Sequence, residues 1–385
     1  MKLAFQLAYK NLMGAGLRTW LNVIVLSFAF VLIIFFNGLI DGWNQQASID
    51  GIEWEYGHGQ LRHEDYDPMD PFTLQDAHGI LPDAKAADLT PVLIRQATVY
   101  PQGRMMSVSL KGIEADQTTL KLPTHLLKES QADIPAIIGK RMAKALNIKD
   151  GEQLLLRWRD KNGTFDAANI TIAGIFDTQV SMVDGGQIWL AVDQLWQMTG
   201  LDQHATLYIA GGNYTPKETP GWHFESQQAL LQELTDIIEM KKISGSIMYG
   251  LLMAIALLAI FDTQVLSIFR RQREIGTYIA MGMTRWQVVS LFTMEGSMYS
   301  LFATLLGAVY GIPLLWFMAW KGIGMPAASQ EMGIIVADRI HPVYGLGLIL
   351  GTVILVVVAA TIVSFLPARK IAKMNPVEAL KGKLQ

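Results

Sequence analysis

The segment RRQREIGTYIAMGMTRWQVVSLFTMEG, residues 270–296, decides the fold of this chain. One apolar run ends just before it at Phe269, and another begins inside it at Val288. Between these runs, Ile275 and Ile279 are four residues apart, which is the spacing of one helix face. The segment contains four arginines, namely Arg270, Arg271, Arg273 and Arg285. A short amphipathic helix at a basic turn between two membrane spans predicts a docking surface for a cytoplasmic partner.

Four apolar runs are long enough to cross a membrane. Hydrophobic residues make up 51% and charged residues 17% of the 385 residues, whereas soluble domains contain about 25% charged residues. A hydrocarbon core of ~30 Å requires roughly 20 helical residues. The runs lie at residues 21–40, 247–269, 288–320 and 343–366. We therefore expect a membrane α-helical protein with four transmembrane helices.

The distribution of charge predicts which segments face the cytoplasm. The two tails and the 270–287 loop together contain 12 basic and 2 acidic residues, whereas residues 41–246 contain 17 basic and 28 acidic residues. Because Lys and Arg near span ends remain inside, we expect both termini and the loop to be cytoplasmic and residues 41–246 to be outside. The first apolar run has 20 residues and no A-x-A site, so it predicts a retained anchor and not a cleaved signal peptide.

The large segment between the first two spans predicts an inserted α+β extracytoplasmic domain. Its strand candidates alternate or run apolar between turn residues, and Gly139–Leu146 reads as a helix. From Glu225 to Ser246, leucines and isoleucines recur at three- and four-residue spacing, which predicts a stalk helix. This helix either continues into the second span as a stiff lever or breaks at 244–246. The strand candidates are Val92–Tyr100, Met105–Leu110, Gln153–Arg159, Asn169–Ile175, Gln187–Ala191 and Thr206–Ile209.

These features give one predicted order of segments along the chain. It consists of an interfacial helix (1–20), a first span (21–40), the external domain with its stalk (41–246, stalk 225–246), a second span (247–269), a cytoplasmic loop (270–287), a third span (288–320), an external loop (321–342), a fourth span (343–366) and a cytoplasmic tail (367–385).

Three motifs resemble the FtsX-like permease family of ABC transporters, which includes the MacB and Lol types. R-E-I-G followed by A-x-G-x-T-R lies at 273–285, A-x-K-N-L followed by L-R-T lies at 8–19, and PARKIAKMNPVEAL lies at 367–380. In the last motif, Ile371 replaces the usual Ala. The resemblance covers all four predicted spans, and it extends more loosely to the external domain through IIGKRMAKALNIKDGEQLLL and ITIAGIFDT.

The resemblance implies the membrane subunit of an ABC transporter in which a separate ATPase subunit, in two copies, binds ATP and Mg²⁺. It implies a second permease subunit, identical or homologous, and mechanical coupling to an external cargo or carrier such as a lipoprotein, lipid-anchored molecule or amphipathic peptide. The expected location is the bacterial inner membrane. We expect Ile275 and Ile279 to enter a groove of the ATPase. The coupling residues implied are Arg270, Arg271, Arg273, Glu274, Ile275, Gly276, Ile279, Gly282 and Arg285.

Two alternatives belong to other functional classes. A regulatory permease of the FtsX cell-division kind would activate an external hydrolase without transport, although its external domain is usually about half this size. A membrane-anchored receptor or enzyme would need no ATPase, and the R-E-I-G segment and the basic tail argue against it.

No catalytic site is predicted within these residues. There is no G-x-x-x-x-G-K-[ST] loop for ATP, no cysteine, and no recognised metal-ligand spacing among the acidic and histidine residues at 58–70. Nothing in the sequence indicates a nucleic-acid partner. Asp262 and Glu295 are ionisable groups within spans, for which we expect polar contacts between helices. Gly307 and Gly311 are expected to permit close helix packing.

Overall fold

A computed structural model describes residues 17–82, 84–178, 180–324 and 339–373. The segment 1–16 of the expected interfacial helix, most of the predicted 321–342 loop and the P-V-E-A-L end of the C-terminal motif lie outside the described residues. The described chain separates into a helical unit (1–42, 238–323 and 341–385) and a mainly β unit (43–237 and 324–340).

The described chain contains nine α-helices. In chain order they are α1 Leu17–Gly51, α2 His125–Glu129, α3 Lys140–Leu146, α4 Ser181–Asp184, α5 Val192–Thr199, α6 Gln227–Arg270, α7 Gln272–Ala280, α8 Arg285–Lys321 and α9 Leu346–Ala368. Four of them, α1, α6, α8 and α9, are long and apolar enough to cross a membrane. The structure therefore has the four apolar helices that a membrane protein with an inserted domain requires.

The long helices extend past the apolar runs from which they were predicted. Helix α1 continues beyond residue 40 to Gly51, because backbone hydrogen bonding does not stop where apolar side chains stop. Gly38 and Gly42 do not end it. A side chain at Gly38 would collide with the Tyr344 ring, and one at Gly42 would collide with the carbonyl oxygen of His341. The two glycines thus allow the segment before α9 to pack closely on α1.

The helical unit has a core in which all four long helices take part. Leu26 and Phe30 of α1, Ile260 of α6, Tyr299 of α8 and Val356 of α9 are buried together. Each of these helices is apolar on nearly all sides, so the core uses one stripe of each helix and leaves other apolar side chains exposed.

The β unit is built on nine strands. They are β1 Gly59–His63, β2 Leu89–Val99, β3 Met106–Ile113, β4 Pro135–Gly139, β5 Gln153–Arg159, β6 Phe165–Phe176, β7 Gln187–Ala191, β8 Leu207–Ala210 and β9 Trp222–Ser226. The short strands β10 Ile323–Gly324 and β11 Arg339–Ile340 follow later in the chain. The order is β3-β7-β4-β6-β5-β2-β8-β1-β9, and β2 also pairs with β3.

The additional pairing of β2 with β3 closes six strands into a ring. Eight register pairs join these strands, from Val92–Ile113 to Val99–Met106. Strands β8, β1 and β9 extend from the other side of β2. Side chains of the ring form the main core together with Met142 of α3 and Leu195 of α5.

The structure corrects several boundaries of the β unit. Strands β1, β4 and β9 were not predicted. Strand β1 has the single apolar residue Leu61, β4 is an apolar run without alternation, and the sequence of β9 adjoins the residues that were assigned to the stalk helix. The stalk helix begins at Gln227 and not at Glu225, since Glu225 belongs to β9 and pairs with Gln60. Helix α6 has no break at residues 244–246, so the uninterrupted alternative holds.

Two histidines of the β unit touch each other. The Nδ1 atoms of His78 and His204 are 2.9 Å apart. Burial, followed by the charges of Arg95 and His204, lowers the pKa of His78 from 6.5 to about 4, and burial also lowers the pKa of His204. Between pH 6.5 and pH 4, the unfolded chain therefore binds protons that the folded chain does not bind. The free energy of unfolding falls as the pH drops through this range.

We expect His78→Gln to weaken this acid sensitivity. Between pH 7 and pH 4.5, the melting temperature of the unmodified chain should fall further than that of the variant. The expected difference is on the order of 2–4 °C, or about 1 kcal/mol after solvent screening of a half-exposed ring. Thermal unfolding measured across this pH range checks the result, with His125→Gln as a control. Equal pH dependence in His78→Gln and the unmodified chain would contradict it.

Candidate functional site

The connection between α6 and α8 consists of the short helix α7 and two turns. Helix α6 ends at Arg270, Arg271 leaves the helical conformation, and α7 follows at Gln272–Ala280. Gly282 has a φ of 97°, a conformation that glycine adopts without strain. The next helix is started by Thr284, whose Oγ1 accepts a hydrogen bond from the Gln287 backbone N–H at 3.3 Å, while Gln287 Oε1 accepts one from the Thr284 N–H at 2.8 Å.

Arg271 ties this connection to α8. Its Nη1 donates hydrogen bonds to both carboxylate oxygens of Glu295, at 3.1 and 2.9 Å. Its Nε donates a hydrogen bond to Glu274 at 2.7 Å, and the guanidinium carbon lies 4.9 Å from the centre of the Phe292 ring. Burial disfavours the charge on Arg271, but the two carboxylates outweigh burial and raise its pKa. Glu295 is only 5% exposed, so the pair forms a nearly buried bond between the connection and α8.

The inner side of α7 belongs to a compact apolar cluster. Ile275 is fully buried, and the partly buried Ile279 packs against the cluster. The expectation that Ile275 enters a groove of another protein is therefore wrong, because the amphipathic spacing that marks a buried face does not specify which partner buries it. Gly276 is also buried on this side. The other buried members are Ile268, Val288, Val289, Phe292, Ala368 and Ile371.

The outer side of the connection carries both basic and apolar side chains. Met281 is 68% exposed and Trp286 is 65% exposed, and neither was predicted as a functional residue. A signal for Trp286 was present in the sequence, namely an aromatic residue in the first turn of a helix between polar neighbours. We call the exposed residues of this connection the outer face. They are Arg270, Arg273, Glu274, Thr277, Ala280, Met281, Gly282, Thr284, Arg285, Trp286 and Gln287.

The remaining predicted residues lie within the helical unit. Asp262 is exposed on α6, between the exposed Leu258 and Leu266, and within the part of the chain that the structure describes its carboxylate has no ion-pair partner. Gly307 and Gly311 of α8 lie against Phe30 and Val31 of α1. A Cβ at Gly307 would be 3.1 Å from the Phe30 ring, and one at Gly311 would be 2.8 Å from Val31.

Within the described ranges, the structure gives no support for a site that binds a metal ion. No group of three or more His, Cys, Asp or Glu residues that could hold a metal ion occurs among them. The acidic turn at 64–70 is instead organised by its own hydrogen bonds, such as that from the Phe72 N–H to Asp70 Oδ1 at 2.9 Å.

Comparison with known proteins gives one family match. The model of the FtsX-like permease C-terminal domain matches residues 246–376. This range contains the second half of α6 and all of α7, α8 and α9.

Three relatives illustrate the range of similarity. The chain is 29% identical over 123 residues to the uncharacterized ABC transporter permease MJ1507 of Methanocaldococcus jannaschii, which covers 32% of this chain and 28% of the relative. It is 22% identical over 324 residues to the lipoprotein-releasing system transmembrane protein LolC of Neisseria meningitidis, covering 76% and 77% of the two chains. It is 28% identical over 142 residues to the uncharacterized permease YknZ of Bacillus subtilis, covering 37% and 32%.

The matched lengths differ between these relatives. The chain spans about a third or less of MJ1507 and YknZ but most of LolC. The solved extracellular domain of YknZ superposes with a TM-score of 0.26 and 13% identity over 40% of this chain and 83% of that domain, which is too low to support a conclusion about the fold.

Proposed function

We propose that this chain is the membrane subunit of an ABC transporter of the FtsX-like permease family, whose C-terminal model matches residues 246–376, and that its outer face docks an ATPase. One observation carries the proposal. Helix α7 is anchored on its inner side by Ile275 and by the Arg271–Glu295 pair, while its outer side presents Met281 and Trp286 beside arginines. An aromatic residue and arginine next to each other are typical of protein interfaces.

The direction of coupling follows from this anchoring. A docked ATPase that moves would push on α7, and the Arg271–Glu295 pair would transfer the force to α8 because a short, nearly buried ion pair resists separation. The 385 residues contain no Walker A motif. In this proposal ATP and Mg²⁺ bind to the ATPase subunit. We propose two ATPase copies and a second permease subunit, with both termini of this chain in the cytoplasm and the β unit outside the inner membrane.

The proposed cargo is a lipoprotein or another lipid-anchored or amphipathic molecule. Similarity to LolC supports this choice, since it extends over 76% of the chain and thus well beyond the matched permease domain. LolC is named for lipoprotein release. In this proposal the β unit handles cargo outside the membrane, and the four helices carry motion and not cargo.

Substitution of Met281 by Asp tests the docking surface. A carboxylate at a desolvated interface costs enough to weaken docking at least tenfold, so the ATPase that co-purifies with the unmodified chain should be lost. Quantified co-purification and ATP hydrolysis are the measurements. Met105→Asp is the matched control, because Met105 is 75% exposed in the β unit.

Three results would contradict the proposal. The first is an unmodified chain with which no ATPase co-purifies. The second is Met281→Asp that retains the same amount of ATPase as Met105→Asp. The third is loss of the ATPase in both variants, because the loss would then not be specific to the outer face.

A further inference from the structure

The β unit contains a cavity of about 540 Å³ that the proposed transport function does not use. Its floor is the face of β2, β3, β7 and β8, and its rim includes the segment 66–74 and the first residues of α6. Cavities of roughly 300–1,000 Å³ hold small organic ligands. The cavity therefore has the size of a ligand site, and it lies entirely within one unit.

Among the polar side chains that line the cavity, four supply two donors and two acceptors. Lys111 and Trp189 carry N–H groups, and Glu55 and Gln187 carry oxygens. Trp189 is 1%, Gln187 7% and Lys111 9% exposed, so these groups have lost most of their contact with solvent. Such burial is costly unless a partner forms hydrogen bonds with the groups.

Three atoms of this set lack a hydrogen-bond partner among the described residues. They are Trp189 Nε1, Gln187 Oε1 and Glu55 Oε2. Buried polar atoms in folded proteins are nearly always paired, so each unpaired one needs an explanation. Because all three atoms belong to residues that line one cavity, they are candidate partners for a ligand that supplies both an acceptor and donors.

The buried charges of the cavity wall are paired. Lys111 Nζ lies 3.7 Å from Glu55 Oε1, and Arg62 Nη1 lies 2.8 Å from Glu225 Oε2. Burial lowers the pKa of Lys111, and the nearby Glu55 opposes this effect. The remaining charged residue of the lining, Asp67, is exposed at the rim. The interior of the cavity therefore offers no excess charge to an ionic ligand and matches a neutral molecule.

The rest of the wall is apolar. It is formed by the aliphatic residues Val92, Ile94, Val108, Leu207, Ile209 and Leu230. A ligand that fills the cavity must therefore combine hydrogen-bonding groups with hydrocarbon, because burial of apolar surface adds to its affinity.

We propose that this cavity binds a short, uncharged peptide segment with apolar side chains. A peptide group supplies one N–H donor and one C=O acceptor on a planar unit. Its N–H groups pair with Glu55 Oε2 and Gln187 Oε1, and its carbonyl oxygens accept from Trp189 Nε1 and Lys111 Nζ. The apolar side chains cover the aliphatic wall. This site does not depend on the docking of an ATPase at α7.

The first experiment measures binding to the unmodified full chain in phosphatidylcholine nanodiscs, where no detergent competes for the cavity. The probe is N-acetyl-Leu-Leu-amide, and its matched comparison is the depsipeptide in which the central N–H is replaced by oxygen. We expect calorimetry to show saturable binding of the peptide and about fivefold weaker binding of the depsipeptide, the effect of one neutral hydrogen bond. No binding of the peptide, or equal binding of both probes, would overturn the proposal.

The second experiment replaces Trp189 by Phe, which removes the N–H and keeps an aromatic ring near Lys111. Trp196→Phe is the matched control, since Trp196 Nε1 already donates to the His204 carbonyl oxygen at 2.7 Å. Peptide affinity should fall about fivefold in the first variant and stay unchanged in the second.

Stability gives a second readout. Both substitutions shrink a packed aromatic side chain and should lower the melting temperature without ligand. The quantity compared is therefore the rise in melting temperature caused by the peptide, which should be smaller in Trp189→Phe than in the unmodified chain and unchanged in Trp196→Phe. An unchanged peptide affinity and an unchanged ligand-induced rise in Trp189→Phe would refute the assignment of Trp189 Nε1 as a ligand donor.

Discussion

Glu295→Leu is expected to destabilise the helical unit by about 3–5 kcal/mol, because it leaves the Arg271 guanidinium nearly buried without its main counter-charge. The Arg271 side chain is 18% exposed and the Glu295 side chain 7%, so water cannot replace the lost carboxylate fully. Denaturant or thermal unfolding of the purified chain measures the loss. We also expect coupling of ATP hydrolysis to transport to fail, since α7 loses its strongest contact with α8.

A double-mutant cycle separates the ion pair from other effects. Arg271→Met should destabilise the unit because it leaves Glu295 unpaired, whereas the combination of Arg271→Met and Glu295→Leu removes both charges and should cost less than the sum of the single changes. Glu274→Gln is a control, because this carboxylate is 54% exposed and solvent compensates for its change. If the two single changes add within ~0.5 kcal/mol, the pair does not hold the connection in place.

Leu234→Pro is expected to abolish most cargo release while ATP hydrolysis persists. Leu234 lies in the unbroken helix α6, which has 44 residues from Gln227 to Arg270. Proline removes one backbone hydrogen bond and its ring clashes with the preceding turn, at a cost of ~3 kcal/mol or more. Helix α6, like α1, contributes residues to both units. We propose that α6 also carries motion from the α7 connection to the β unit, so a break at Leu234 would interrupt this path.

The comparison variant for this test is Leu234→Ala. Leu234 is 8% exposed, so truncation to Ala removes the buried side chain and leaves the helical backbone intact. Release of a lipoprotein from proteoliposomes and ATP hydrolysis are measured in parallel for both variants. If Leu234→Pro releases cargo as efficiently as Leu234→Ala, motion does not pass through α6 and the mechanical part of the proposed function fails.

The sequence predicted the helical unit better than the β unit. Apolar runs of membrane length identify helices such as α9 almost without reference to the rest of the chain. Strand β4 was missed because PAIIG is an apolar run of five residues, and only its pairing with β6 and β7 makes it a strand. Short strands depend on partners distant in sequence, which local patterns do not reveal.

The candidate site was also predicted only in part from the sequence. The spacing of Ile275 and Ile279 identified a helix with one apolar face, but not the apolar cluster that covers it. Glu295 was recognised as an unusual charge in a span, yet its pairing with Arg271 joins residues 24 positions apart on different helices. Met281 and Trp286 could be singled out only after the inner side of α7 was known, because exposure is a property of the folded chain.

The pairing of β1 also has a consequence for how the protein is made. Gln60 of β1 pairs with Ile209 of β8 and with Glu225 of β9, so neither neighbour of β1 exists until residues far along the chain have been synthesised. At about 5–20 residues per second, the ribosome takes roughly 10–30 s to proceed from β1 to β9. During this interval the early strand has unsatisfied backbone groups along both edges. The ring of six strands needs residues only up to Ala191, whereas the β8-β1-β9 edge cannot be completed before residue 226 has been synthesised. The β unit therefore folds in two steps, and a chaperone that shields extended segments would act on β1 before residue 226 emerges.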